Sequence, residues 1–147
     1  MLLGAYFAKL DEKSRLAVPK KVRSELGNNL VASRWYEGCI LLVDKNSWSQ
    51  LVSRLTGGEL ATLSARDTDR FLLAGSFELE LDKQSRFIVP LSLRNYAKIK
   101  REVIFAGLGN RVEIWDKNAW EEHEKEIMDQ AGAQIEKLYR ERREDGK

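Results

Sequence analysis

The 147-residue chain has one cysteine, one histidine and two prolines, and neither sign of charge prevails: 25 Lys and Arg stand against 23 Asp and Glu, a formal net charge of +2. A lone Cys39 excludes an intrachain disulfide and any thiolate metal cluster built by one chain. Its setting, GCILLV, is that of a buried thiol. His123 lies in EEHEKE, a solvated helical setting with no second histidine or cysteine at ligand spacing. No apolar run approaches the roughly 20 residues that cross a bilayer. The N-terminus MLLGAYFAKLDEK lacks the basic stretch of a signal peptide, so a cytoplasmic location is expected. P-loop, dinucleotide fingerprint, zinc spacing and nucleophile elbow are all missing, so neither an enzyme nor a cofactor is expected. Near-neutral charge also means that any basic surface for nucleic acid must be local.

What the chain does have is repetition. Residues 11–26, DEKSRLAVPKKVRSEL, return 71 positions later as residues 82–97, DKQSRFIVPLSLRNYA. The shared residues are charged, turn-forming and helix-starting: Asp11, Ser14, Arg15, Val18, Pro19 and Arg23 match Asp82, Ser85, Arg86, Val89, Pro90 and Arg94. GAYFAKLD at 4–11 parallels GSFELELD at 75–82, and DKNSW at 44–48 parallels DKNAW at 116–120. The chain thus carries two copies of one module. The division expected is a first repeat over residues 1–58, a helical connector over 59–74, and a second repeat with a C-terminal helix over 75–147.

Each copy reads alike. Tyr6, Ala8 and Leu10, or Phe77, Leu79 and Leu81, alternate as a strand with one buried face. A polar tip follows, and Leu16-Ala17-Val18 or Phe87-Ile88-Val89 reads as the strand returning from a hairpin. Pro19 and Pro90 end that strand and open short helices over about 19–26 and 90–98. A second strand pair, Leu30–Arg34 with Ile40–Val43, recurs as Val103–Ala106 with Val112–Trp115. Asp44 and Asp116 can cap the helices that follow. The first of these runs to about Leu55, a bridging helix occupies about 59–73, and the last runs over about 117–142 and then frays in YRERREDGK. Four short strands per copy leave exposed edges, so the expected fold is mainly β with short helices (α+β): two copies interleaved into one pseudo-twofold β-barrel, followed by a C-terminal helix.

The tips, Asp11-Glu12-Lys13-Ser14-Arg15 and Asp82-Lys83-Gln84-Ser85-Arg86, admit two compatible readings. In one, Asp11 and Asp82 close the turn, Ser14 and Ser85 bond the local backbone, and the arginines neutralise the aspartates. In the other, Arg15 and Arg86 reach phosphates and guanine edges with Lys13 and Lys83, as a β-ribbon in the major groove can. A carboxylate that orients a guanidinium serves both. Lys20, Lys21, Arg23 and Arg94 add charge near the tips or form a solvated helix face. Trp35, beside Tyr36 in a loop, is a candidate for exposure.

A doubled D-x-x-x-R tip followed by V-P and a short helix resembles the MraZ family of bacterial regulators, and the resemblance covers essentially the whole chain. It implies two fused copies of the swapped-hairpin barrel that AbrB/SpoVT-type proteins build by dimerisation. It further implies a nucleoid-associated transcription factor that assembles into rings and binds double-stranded DNA at short promoter repeats of the division and cell-wall gene cluster containing its own gene. By this resemblance Arg15 and Arg86 contact DNA with Lys13 and Lys83 in support, while Asp11 and Asp82 shape the loops. Gln84 stands where the first tip has Lys13, so the two grips are inequivalent. The rival function is a protein-interaction module of antitoxin-like type.

Overall fold

Proline and glycine punctuate the two copies where their chemistry suits. In the computed structural model, which describes residues 1–146, Pro19 and Pro90 stand immediately before two short helices. Their carbonyls accept the first helical bonds, from the amides of Arg23 and Arg94 at 3.0 and 2.9 Å. Gly109 takes a φ of 85° in a tight hairpin turn closed by the Leu108 amide on the Arg111 carbonyl at 2.9 Å, a conformation that favours glycine.

The strands are β1 (Leu2–Lys9), β2 (Arg15–Ala17), β3 (Asn29–Arg34), β4 (Ile40–Asp44), β5 (Ser76–Glu80), β6 (Arg86–Ile88), β7 (Glu102–Gly109) and β8 (Val112–Asp116). The helices are α1 (Lys20–Leu26), α2 (Lys45–Leu55), α3 (Leu63–Leu72), α4 (Leu91–Tyr96) and α5 (Lys117–Asp145). Asp44 caps α2, its carboxylate accepting the Ser47 amide at 2.7 Å. Asp116 is engaged by the Lys100 amide at 3.2 Å.

All pairings are antiparallel. Six strands form one sheet in the order β1-β7-β8-β4-β3-β5, and β2 pairs with β6 in a separate two-stranded ribbon. This corrects the expected local hairpin. The strand leading into each tip does not pair with the strand that leaves it; β1 pairs with β7 of the other copy, and β5 with β3. Alternation announces a half-buried strand but carries no information about its partner. The second strand pairs, β3 with β4 and β7 with β8, are local as expected.

Sheet and ribbon share one core. Leu16 and Phe87 from the ribbon join Leu30, Leu42, Phe105 and Ile114 from the sheet and Val22 and Leu93 from α1 and α4 in one buried cluster. α3 is fastened by the end of β3: the Arg34 guanidinium donates to the Phe71 and Arg70 carbonyls at 2.9 and 2.7 Å, satisfying carbonyls that a helix end leaves unpaired. Gly75 lies so close that a Cβ there would meet both this guanidinium and the Phe71 carbonyl. Trp35 is buried, contrary to expectation, and its neighbour Tyr36 is the exposed aromatic. Cys39 is buried too, and desolvation pushes its thiol strongly toward the neutral form, with Glu113 and Glu37 acting in the same direction.

The chain divides into a body, Met1–Lys117, and a second unit beginning at Asn118 within α5. α5 stays helical through Asp145 rather than fraying at about 142. Ion pairs one turn apart, Arg140 to Glu136 at 3.8 Å and Lys137 to Glu141 at 4.0 Å, fit a helix whose C-terminal end is dense in charge.

Candidate nucleic-acid interface

Each tip is a five-residue loop folded around its aspartate. Oδ1 of Asp11 accepts the amides of Lys13 and Arg15 at 2.8 and 2.9 Å, and Oδ2 accepts Nε of Arg15 at 2.7 Å. In the second copy, Oδ1 of Asp82 accepts the amides of Gln84 and Arg86 at 2.8 and 2.9 Å, and Oδ2 accepts Nε of Arg86 at 3.0 Å. Backbone bonds from Ser14 to Asp11 and from Ser85 to Asp82, both 3.0 Å, tighten the turns. The turn places Ser14 and Ser85 in the left-handed region, with φ of 58° and 60°. The backbone amide of Arg15 is the foremost cause that holds the Asp11 carboxyl below the ordinary 3.8, and the amide of Arg86 does the same for Asp82. Both aspartates are therefore firmly anionic at neutral pH.

The ribbon brings the two tips together. β2 and β6 pair Arg15 with Ile88, Leu16 with Phe87 and Ala17 with Arg86. Cross-strand partners share a face, so the buried Leu16–Phe87 pair puts Arg15, Ile88, Ala17 and Arg86 on the outer face. Arg86 Nη1 also comes within 3.8 Å of Asp11 Oδ2, so one carboxylate stands between the two guanidiniums. The arginine side chains remain 29% and 26% exposed. Their Nε atoms serve the aspartates, which aims two planar forks from one surface. Lys13 and Lys83 are exposed on the loops beside them.

Each tip is held by the opposite copy. The Val18 amide donates to the Ser85 carbonyl at 2.9 Å, and the Val89 amide to the Ser14 carbonyl at 3.0 Å. Arg94 donates through Nη1 to Oγ of Ser14 at 2.9 Å while its other nitrogens bond the Ile99 and Lys100 carbonyls. Arg23 donates to Oγ of Ser85 in the same crossed sense. Sequence reasoning set Arg23 and Arg94 down as added charge or a solvated face; they are bonded and only partly exposed. The signal available was their recurrence at matched positions. Among the described residues, no group of three or more His, Cys, Asp or Glu side chains is placed to hold a metal ion.

A doubled tip assembled from two copies is matched by a comparison of the sequence with protein families. The profile described as "MraZ protein, putative antitoxin-like" matches twice, over residues 1–71 and 72–139. The chain belongs to the MraZ family. Proteins named "Transcriptional regulator MraZ" are similar along most of their length. The one from Thermoanaerobacter pseudethanolicus is 41% identical over 123 residues, 84% of this chain and 86% of its own. That from Caldanaerobacter subterraneus subsp. tengcongensis is 41% identical over 125 residues, 85% and 87% of the two chains. That from Moorella thermoacetica is 36% identical over 138 residues, 94% and 96%. A role in transcription regulation follows from these MraZ relatives. No helix among the described residues is long and apolar enough to cross a membrane.

Proposed function

We propose that this chain is a sequence-specific DNA-binding regulator whose two D-x-x-x-R tips enter the major groove of promoter DNA. The observation that carries the reading is the single outer face on which Arg15 and Arg86 are each held through Nε by an aspartate. A guanidinium fixed in this way loses little freedom when it meets guanine O6 and N7 or a phosphate. Lys13 and Lys83 supply phosphate contacts that position the ribbon without reading sequence. Asp11, Asp82, Ser14 and Ser85 keep the loops in shape. We read sheet and ribbon as walls of a pseudo-twofold swapped-hairpin barrel formed by repeats over 1–58 and 75–147 joined through 59–74.

One protomer offers few basic groups, so self-assembly into a ring on short, regularly spaced repeats supplies the affinity through avidity. Rotation-related protomers suit direct repeats. The target is the promoter of the chain's own operon in the division and cell-wall cluster, which makes the protein cytoplasmic and nucleoid-associated. Gel-shift with DNA upstream of its own gene tests the assignment. Arg15→Ala with Arg86→Ala should abolish the shifted band while circular dichroism and particle mass stay unchanged; an unchanged band overturns it.

The antitoxin-like wording of the family description favours one second reading, a docking module for a protein partner. A groove of about 330 Å³ lined by Trp35, Tyr36, Leu51, Leu55 and Arg111 is a surface for it. Purified protein that ignores its upstream DNA and captures one specific polypeptide would favour this reading.

A further inference from the structure

The outer face of the ribbon is not symmetric, although the chain is doubled. Opposite Arg15 stands Ile88, a large aliphatic side chain left 64% exposed. Opposite Arg86 stands Ala17, with a single methyl. Strand periodicity explains why both point outward, since Leu16 and Phe87 between them are buried. It does not explain why a bulky apolar residue lies on solvent across the ribbon from Arg15 and two positions along the strand from Arg86. The asymmetry extends to the next residue but two, where Leu91 is 70% exposed and its counterpart is Lys20.

An apolar side chain on the same face as two arginines matches one chemical surface of duplex DNA. The major groove offers guanine O6 and N7 to arginine, and its apolar landmark is the C5 methyl of thymine. We propose that Ile88 is a specificity-determining residue that packs on a thymine methyl beside the guanine met by Arg15, so that the ribbon distinguishes its two ends and sits on DNA in one direction. The inference rests on the reading of this face as the DNA surface. The Arg15–Ile88 end reads a guanine and a thymine together, whereas the Arg86–Ala17 end reads a guanine with little demand on its neighbour. The exposed Lys13 and Lys83, on the loops beside the two aspartate-paired arginines, select DNA over an apolar partner here.

Deoxyuridine lacks only the thymine methyl, so it isolates this contact. The protected duplex upstream of the gene is synthesised with each thymine in turn replaced by deoxyuridine, and affinity for the full-length protein is read by fluorescence anisotropy. Wild type should lose about fourfold at one thymine in each repeat, the effect of withdrawing one methyl from an apolar contact. Ile88→Ala should bind the thymine duplex about as weakly as wild type binds the deoxyuridine one, and should be indifferent to the replacement. Exchange of the two positions, Ala17→Ile with Ile88→Ala, should move the sensitive thymine to the other end of the repeat. Indifference of wild type to every replacement overturns the inference, as does undiminished sensitivity in Ile88→Ala. Altered particle mass in Ile88→Ala with thymine sensitivity retained assigns Ile88 to a subunit contact and also overturns it. Loss of binding in the double arginine variant, together with thymine indifference, removes this inference alone; retained binding in that variant removes the DNA face itself.

Discussion

Asp11 and Asp82 use both carboxylate oxygens on their own loops, Oδ1 on two amides and Oδ2 on a guanidinium. The folded state therefore prefers their charged form, and each carboxyl lies below its unfolded value of 3.8. A depressed carboxyl contributes stability that is fully present above the unfolded value and is lost as pH falls through the folded one. Thermal midpoints measured across this acid range should fall for wild type and fall less steeply for Asp11→Asn with Asp82→Asn, whose side chains keep an amide-accepting oxygen but do not titrate. These aspartates were legible in sequence because an Asx turn is a local event, set by residues four apart. Arg23 and Arg94 were not. A helical arginine has the same spacing whether it faces water or a serine 62 or 80 residues away, and only the assembled copies separate the two cases.

At the scale of elements, the ribbon is only three residues long on each side and has one inward pair, Leu16 and Phe87. So short a ribbon depends on the core beneath it, as two strands alone are marginal in water. Leu16 has no exposure, and truncation to alanine should cost about 2–5 kcal/mol in urea denaturation, with the tips loosened at the same time. A cost near zero would mean that the ribbon is not anchored through this residue. Element boundaries were read well where punctuation is chemical: Pro before α1 and α4, and the Asp44 cap of α2. Pairing was read only where two strands adjoin in sequence. Which copy supplies the partner of β1 or β5 depends on the whole arrangement and leaves no local mark.

For the molecule as a whole, a net charge of +2 spread over 147 residues provides little general attraction to DNA, so the proposed binding would rest on a few placed cations. Four tip residues, Lys13, Arg15, Lys83 and Arg86, would release counterions with a logarithmic salt slope of about −3.6 per protomer if each met a phosphate. Lys13→Ala with Lys83→Ala should flatten the measured slope by about 1.8 and weaken binding equally across sequences; a slope near zero in wild type would contradict phosphate-led binding. The pairing of β1 with β7 has a further consequence, for the chain as it is made. Leu2 to Lys9 are synthesised well before their partners, Glu102 to Gly109. At about 5–20 residues per second, the first strand waits several seconds with its hydrogen-bonding edge unmatched. Leu3 and Phe7 remain exposed even in the finished fold. The β1 strand is thus a segment that a chaperone would shield until β7 has been made.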